Sequence, residues 1–562
     1  LPNRLNQIIH SYVPTGLLLW LGFWFLPYYD QAERIILFAA FVVVPLTLYR
    51  VFESLKNTPV LFLKILISLI PIGAISLAVS FALSPGPIAG ALAIPWSLVT
   101  FVIAAMGVGL LVKNFPHFGD VSRAIGFMYI SVGGIWLAAY QFGSSLLGFE
   151  GLIMLLTVNH FHYAGFVVPV LFGFLHDSLE RKSFSGLTVV LGGITPILIA
   201  LGMTYSPILE WLSVVTFALS LILYSVLVFT CVIPKATRWT KGFHLLSSGV
   251  IWLTMALAVL YGFGEWTGQS TISISTMIVF HGWGNAVLFC FIGVLAWHAT
   301  LMDQATAGIP FSRIQGTGRI GADVFTKLEV LDREPEEKPT GLIDDMQDYQ
   351  SQSLDLERFD QDIIDFYEKT DDFELYVTPY WSKAFTYPAK VYKCGSQWLE
   401  QMNFPLEAES IEQQVKSVIL PIQDSKDGRQ NIRAWVRTYN QTQKTIYAAL
   451  YSTHVTGRTR YMNIAFPLPY SQMTSILNLR NGSDETLVLT SWPSEGKSGD
   501  QGVYLVLNQK AIRLPINETI TVWKDPDSPK GKIEARHDMW LFGMKFLTLD
   551  YHISKKSQVV DS

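Results

Sequence analysis

The sequence predicts a polytopic α-helical membrane bundle of about ten transmembrane helices, followed by a cytoplasmic α+β domain that is mostly antiparallel β. Three observations carry this. Half of the 562 residues are hydrophobic and only 15% are charged, with a mean hydropathy of +0.33, a balance foreign to ordinary soluble chains. The apolar residues are concentrated in the first 300 positions, where long stretches lack any acidic side chain, while the remainder is ordinary polar sequence. Lys and Arg in the first part fall in every second connection, as membrane topology demands. The resulting division is a transmembrane domain over 1–302, a linker over 303–342 and a cytoplasmic β-rich domain over 343–562.

A window of about 19 residues picks out ten apolar segments, near 9–28, 35–51, 58–83, 87–112, 124–143, 152–175, 185–205, 208–233, 243–263 and 272–299. Each is long enough to cross a hydrocarbon core of about 30 Å as a helix. Pro14 and Gly16 interrupt the first, which reads as a permanent segment rather than a cleaved signal. Arg50 and Lys56, Lys113 and Arg123, Arg181 and Lys182, and Lys235, Arg238 and Lys241 mark one side. The intervening connections "SPGP" (84–87), "GSSLLGFEG" (143–151), "TYSPIL" (204–209) and "GEWTGQS" (264–270) carry no cation. The basic side is therefore expected to be cytoplasmic, and with it the C-terminal domain. Gly and Pro break several spans, as in "LGGITPILIALG" (191–202) and "ALAIPWSL" (91–98). Packed membrane helices tolerate such breaks, and transporter binding sites use them.

Two polar clusters stand out inside the apolar spans. The sixth, "NHFHYAGFVV", holds Asn159, His160, His162 and Tyr163; the tenth, "VFHGWGNAVLF", holds His281, Trp283 and Asn285. Both spans enter from the outer side, so a rise of about 1.5 Å per residue puts His160 and His281 at similar depths, roughly 12 and 14 Å. Trp136, Tyr140 and Gln141, at the outer end of the fifth span, lie at a neighbouring level. Polar groups at such depth need partners or a wet cavity, which makes these residues the candidate substrate or proton path. Interhelical bonding that only glues the bundle is the plainer alternative. Residues i and i+2 of an α-helix point about 200° apart, so His160 and His162 must face different neighbours. No set of metal ligands is expected. His176, His244 and His298 fall at the basic ends of spans six, nine and ten and read as solvated helix ends.

After Asp303 the composition changes. "DREPEEKPTG" (332–341) is a charged, Pro-containing stretch. The run "DLERFDQDIIDFYEKTDDFEL" (355–375) spaces Leu356, Phe359, Ile363 and Phe366 as an amphipathic helix. From about 430 at least eight strands follow, from "IRAWVRTYN" (432–440) to "MWLFGMKFLTLDYHI" (539–553), which implies a sandwich or barrel, with room for an internal ligand cavity. No catalytic signature emerges. "DSPKGK" (527–532) lacks the Gly and Ser/Thr of a phosphate loop, "GTGRIGAD" (316–323) follows no strand, and the adjacent Arg536, His537 and Asp538 alternate faces of a strand. A formal charge of -4 gives no electrostatic reason to expect nucleic acid. Three cysteines without regular spacing support neither a disulfide framework nor a zinc ribbon.

Two resemblances follow from these motifs. "NHFHY" resembles the "HFHY" helix of haem-copper oxidase subunit I, which implies a haem held by His281 with His160 or His162; the copper ligands of that family have no counterpart here. Over most of its length the chain resembles the bacterial YndJ-like membrane proteins, through "NHFHYAGF", "HGWGNA", "FYEKTDDFEL", "YMNIAFPLPYSQMTSIL" and "MWLFGMKFLTLDY". That resemblance implies the architecture and a transporter-like description. The leading expectation is thus a bacterial cytoplasmic-membrane protein that moves or senses a small solute through a His-lined pocket, in contact with the bilayer and with no nucleic-acid partner. A haem-binding redox or gas-sensing protein is the second reading. A non-catalytic assembly or interaction protein is the third.

Overall fold

The computed structural model describes residues 2–54, 60–180, 182–269, 272–335, 337–406, 413–483, 485–493, 499–507, 510–525 and 533–556. Lys56, Arg181, Ser270 and the "DSPKGK" stretch lie outside them. The chain divides into two compact units, Leu1–Leu301 and Met302–Ser562.

Among the described residues of the first unit, nine helices are long and apolar enough to cross a membrane: α2 (Gln31–Glu53), α3 (Val60–Phe81), α4 (Pro87–Asn114), α5 (Phe118–Gln141), α6 (Leu152–Ser178), α7 (Phe184–Tyr205), α8 (Pro207–Lys235), α9 (Arg238–Thr267) and α10 (Ile274–Asp303). These match nine of the ten expected segments. The first segment is also helical, as α1 (Pro2–Trp24), but its apolar part, Ile8–Trp24, is shorter than the others. Helices α2 and α6 form the centre and are buried along most of their length; α3, α9 and α10 turn much of their apolar surface outward, as lipid contact requires.

Glycines set the approach of α5 to its neighbours. Gly119, Gly126 and Gly133 recur every seventh residue and face α6, where a Cβ on Gly126 would stand 2.6 Å from the Phe166 carbonyl oxygen. At the basic end of these helices, buried Arg123 of α5 pairs with Asp120 of its own helix (2.5 Å) and ties α5 to α6 through Asp177 (2.7 Å). Four of the spans depart from α geometry in π-helical turns: Ala39–Val43 in α2, Phe161–Val167 in α6, Val228–Val232 in α8, and Met277–Gly282 with Gly284–Phe291 in α10. Such turns widen the helix and re-aim side chains, and they cluster at functional sites.

The second unit is a closed antiparallel barrel. Its strands are β1 (Phe373–Trp381), β2 (Gln413–Pro421), β3 (Arg433–Tyr439), β4 (Thr445–Thr456), β5 (Thr459–Leu468), β6 (Ser471–Asn481), β7 (Leu487–Thr490), β8 (Gly502–Leu507), β9 (Lys510–Arg513), β10 (Ile516–Lys524), β11 (Ile533–Leu541) and β12 (Met544–Lys555). They follow the order β5-β4-β3-β2-β1-β12-β11-β10-β7-β6, and β6 pairs back onto β5 to close the ring; the hairpin β8–β9 hangs from the first half of β6. Positive φ at Phe542 and Gly543 makes the two-residue turn that splits the single run expected over 539–553 into β11 and β12.

Two further expectations are corrected. The amphipathic helix expected over 355–375 is only α11 (Gln361–Glu368): Asp360 caps its start through the Asp362 backbone N–H, and from Phe373 the burial alternates residue by residue, which is strand β1. The 303–342 stretch is not a bare tether. Its Ile314, Ile320, Val324, Phe325 and Val330 pack on Ala434, Val436, Ala448, Leu450 and Ala465, which lie on β3, β4 and β5. Helix α11 fills one end of the barrel with Phe366 and Tyr367, and α12 (Thr386–Leu399) lies at the strand ends carrying Trp381 and Phe546.

Candidate functional site

The candidate site is a cavity of about 280 Å³ among α2, α6, α7, α8, α9 and α10. Its wall is overwhelmingly apolar, contributed by residues such as Leu156, Ile199, Met203, Phe217 and Met277. Set into it are Asn159, His160, Tyr163, Glu210, Tyr261, His281, Asn285 and Cys290.

Two imidazoles dominate that polar set. The His160 and His281 rings lie 6.3 Å apart. His160 Nδ1 is 2.8 Å from the Leu156 carbonyl oxygen of its own helix, and His281 Nδ1 is 2.9 Å from the Thr254 carbonyl oxygen on α9. A carbonyl only accepts, so each Nδ1 carries the proton; in the neutral ring each Nε2 is then a lone-pair acceptor. Neither Nε2 has a protein partner among the described residues.

The surrounding amides and phenol are anchored to the bundle. Asn159 donates through Nδ2 to the carbonyls of Ala32 (3.0 Å) and Leu155 (3.2 Å), while its buried Oδ1 has no partner. Tyr163 donates to the Ile35 carbonyl at 2.8 Å. Asn285 Oδ1 accepts from Thr254 Oγ1 at 2.9 Å. The inventory facing the cavity is therefore rich in acceptors: two imidazole Nε2 atoms and one amide oxygen.

His162 belongs to a different environment. It is fully buried, its Nδ1 2.8 Å from the Val158 carbonyl, and its Nε2 accepts from the Trp96 indole N–H of α4 at 3.1 Å. Both ring nitrogens are satisfied, and His162 is absent from the cavity wall. The i, i+2 spacing thus sends His160 to the cavity and His162 to α4. Trp283, grouped with the site in sequence, instead donates to Gln31 Oε1 at 2.9 Å and packs on Trp20 and Trp24. Trp136, Tyr140 and Gln141 take no part in the wall either.

None of the three histidines read as solvated helix ends is freely solvated, and His298 Nδ1 is itself buried. His176 is buried, its Nδ1 3.0 Å from Ser185 Oγ, and His244 is buried, its Nε2 2.8 Å from Thr300 Oγ1. Hydroxyls on neighbouring helices replace water there. His298 is grouped with His10 and Tyr49 at ring distances of 6.3 and 5.9 Å.

Glu210, Tyr261 and Cys290 were missed as wall residues. Each sits alone in an apolar stretch, and only the packing of α8, α9 and α10 brings it to the cavity; an isolated acid inside "SPILEWL" was the one available signal.

In the barrel, alternation places His537 inward, 2.7 Å from Glu518 Oε2, while Arg536 pairs with Asp550 at 2.8 and 3.2 Å and Asp538 accepts from Lys545 and Thr548. The three consecutive polar residues share no site, as the strand period dictates.

A bundle of membrane-length helices with an intramembrane cavity, joined to a closed antiparallel barrel, defines a polytopic integral membrane protein with an appended β domain. Residues 34–289 match the family model described as YndJ-like protein. The chain is 34% identical over 480 residues to the uncharacterized membrane protein YndJ of Bacillus subtilis (strain 168), covering 84% of this chain and 85% of that protein. It belongs to the YndJ-like family. No solved structure matches it.

Proposed function

We propose that the membrane unit binds a small, largely apolar solute that donates a hydrogen bond to His160 and His281, and transports or senses it across a bacterial cytoplasmic membrane. The observation that carries this reading is the pair of imidazoles beside an apolar cavity, both fixed by Nδ1 to backbone carbonyls, whose Nε2 acceptors have no protein partner among the described residues. The cavity's 280 Å³ is about the space of nine water-sized groups. Asn159 Oδ1 extends the acceptor face, Tyr163 fixes α6 against α2, and Asn285 links α10 to α9. His162 holds α6 to α4 and stands outside the path. The clustering of Arg50, Lys113, Lys182, Lys235, Arg238 and Lys241 at one set of helix ends supports, by the positive-inside rule, a cytoplasmic side for those ends and for the barrel.

Protein in nanodiscs, titrated with phenol and with toluene, tests the reading. Phenol is expected to raise the melting temperature saturably, toluene to do so far less, and His160→Ala with His281→Ala to abolish the difference. Equal effects of the two probes, or a phenol effect that survives the double substitution, would refute it. The second reading, a haem held between these histidines, draws on the same Nδ1 anchoring, which is how metal-bound imidazoles are oriented. A stoichiometric Soret band lost in His281→Ala would establish that reading in place of the first.

A further inference from the structure

The barrel encloses a second cavity, of about 350 Å³, within the range of small-molecule sites. Its wall is mostly apolar, with Met462, Ile464, Met473, Ile520 and Leu547 among the residues that face it. The exception is concentrated on β3. Arg437 is 2% exposed and lines the cavity. Its Nη1 donates to the Tyr447 hydroxyl at 3.1 Å, while Nε and Nη2 are buried and have no hydrogen-bond partner among the described residues. Trp435, one inward position earlier, also faces the cavity with a buried, unpaired indole N–H.

The two idle guanidinium nitrogens form one edge of the fork. Elsewhere in the same domain that edge grips carboxylates: Arg429 holds Asp427 through Nε (2.6 Å) and Nη2 (3.1 Å), and Arg536 holds Asp550 through Nε (2.8 Å) and Nη2 (3.2 Å). In Arg437 it has no acid. The rings of Trp435, Tyr447 and Tyr551 lie 4.8 to 5.3 Å from the guanidinium carbon and cover its faces. Burial pushes the Tyr551 phenol up to about 12 and raises Tyr447 and Tyr451 as well, so all three stay neutral at pH 7. The carboxylate in the wall, Glu518, is engaged by Ser475 and His537 and makes no ion pair with Arg437. A buried cation with a vacant bidentate edge is costly unless an anion completes it.

We propose that the barrel binds a carboxylate-headed, single-chain amphiphile, its head on the Nε/Nη2 edge of Arg437 beside the Trp435 N–H and its tail along the apolar wall. At about 30 Å³ per water-sized group, the cavity takes a tail of about a dozen carbons. Binding is non-covalent, and the site is distinct from the membrane cavity.

The test uses the full chain in phosphatidylcholine nanodiscs, with empty nanodiscs as the baseline. Dodecanoate, dodecanol and dodecyl phosphate each compete against a dansyl-labelled undecanoic acid. Saturable dodecanoate binding at one site per chain is expected, with dodecanol at least tenfold weaker and Arg437→Gln at least tenfold weaker for dodecanoate. His160→Ala and His281→Ala leave this binding unchanged. Equal affinity for dodecanol, unaltered binding by Arg437→Gln, or absence of saturable binding overturns the proposal; tighter binding of dodecyl phosphate overturns the carboxylate assignment. Should Arg437→Gln not fold, Arg437→Lys keeps the charge without the fork and is read the same way. Met473→Trp, which adds bulk to the cavity wall and leaves the Arg437 side chain itself unaltered, must also weaken binding.

Discussion

The Trp96–His162 bond offers a direct measure of how the two neighbouring histidines of α6 differ. Trp96 and His162 are wholly buried, the indole N–H meets His162 Nε2 at 3.1 Å, and the Val158 carbonyl occupies Nδ1. Replacing Trp96 by Phe removes the donor and leaves a buried acceptor without a partner. Replacing His162 by Leu leaves a buried donor in the same state. Interhelical hydrogen bonds in membrane proteins average about 0.6 kcal/mol and reach about 1.7, and orphaning a buried partner moves a pair toward the upper end. Each single substitution also loses packing, so singles of about 2 to 3 kcal/mol are expected. The double variant should cost about 1 to 1.5 kcal/mol less than their sum, because once one partner is gone the other has nothing left to lose. Reversible unfolding in mixed micelles titrated with dodecyl sulfate measures all four corners of this cycle. Additivity within about 0.5 kcal/mol would refute the claim that the bond joins α6 to α4. His160→Ala, by contrast, removes a ring that faces a cavity, and its stability change should stay within about 1 kcal/mol.

Other outcomes follow from the same structure. Gly126→Leu on α5 forces a side chain against the Phe166 carbonyl, a backbone atom that cannot swing aside, and should destabilise the bundle by about 1 to 3 kcal/mol in the same titration. Arg123→Ala leaves Asp120 and Asp177 without their shared cation; because Asp177 is about one-third exposed, the loss should be about 2 kcal/mol rather than the 3 to 5 of a fully buried pair. In the β unit, hydrogen bonds from Lys555 and then Lys524 hold the Asp362 carboxyl below its ordinary range. A depressed folded pKa contributes stability above the unfolded pKa and loses it as pH falls through the folded one. Asp362→Asn should therefore lower the melting temperature of the β unit by about 1 to 2 °C at pH 7, with the difference shrinking as acid protonates the carboxylate. Cys394 is exposed on α12; with Cys231 and Cys290 replaced by Ser, it should resist a membrane-impermeant maleimide in intact cells and react after permeabilisation. Labelling of intact cells would reverse the proposed orientation.

The parts of this architecture legible in the sequence are those that solvent dictates. Hydrocarbon demands runs of apolar residues, so nine spans could be placed within a few residues, and counting the rise from the starts of α6 and α10 was enough to bring His160 and His281 to one level. Strands β3, β4 and β5 were legible from their β-branched and aromatic composition and their bounding turns rather than from a wet face, since both faces of each are largely buried. Strand β6 is buried to a similar degree, its outer side covered by the 309–316 segment, where Gln472 donates to the Ser312 carbonyl, but its mixed run "SQMTSILNLRN" is rich in Ser, Asn and Gln and lacks the aromatic and β-branched density that marked its neighbours. Strand β1 hid behind the acidic helix before it. The π-helical turns have no local signature, since they answer packing between helices, and the same holds for the meeting of Glu210, Tyr261 and Cys290. Arg437 gave no signal either; a cation in a strand reads as an outward residue until the barrel's inward set is known.

Closing β5 onto β6 also bears on how these molecules tolerate each other's company. A protein held in a membrane is concentrated in two dimensions, where an open sheet edge invites the next copy to extend it. Here the ring spends nearly every edge on itself, and the half of β10 beyond β7 is met by Ser491, whose backbone N–H and hydroxyl bond the Glu518 backbone. Among the described residues the sheet ends at β9, four residues long, with Lys510 and Arg513 at its two ends. A strand that short and that cationic is a poor template, so crowding at the membrane surface should not drive barrels to zip together into aggregates.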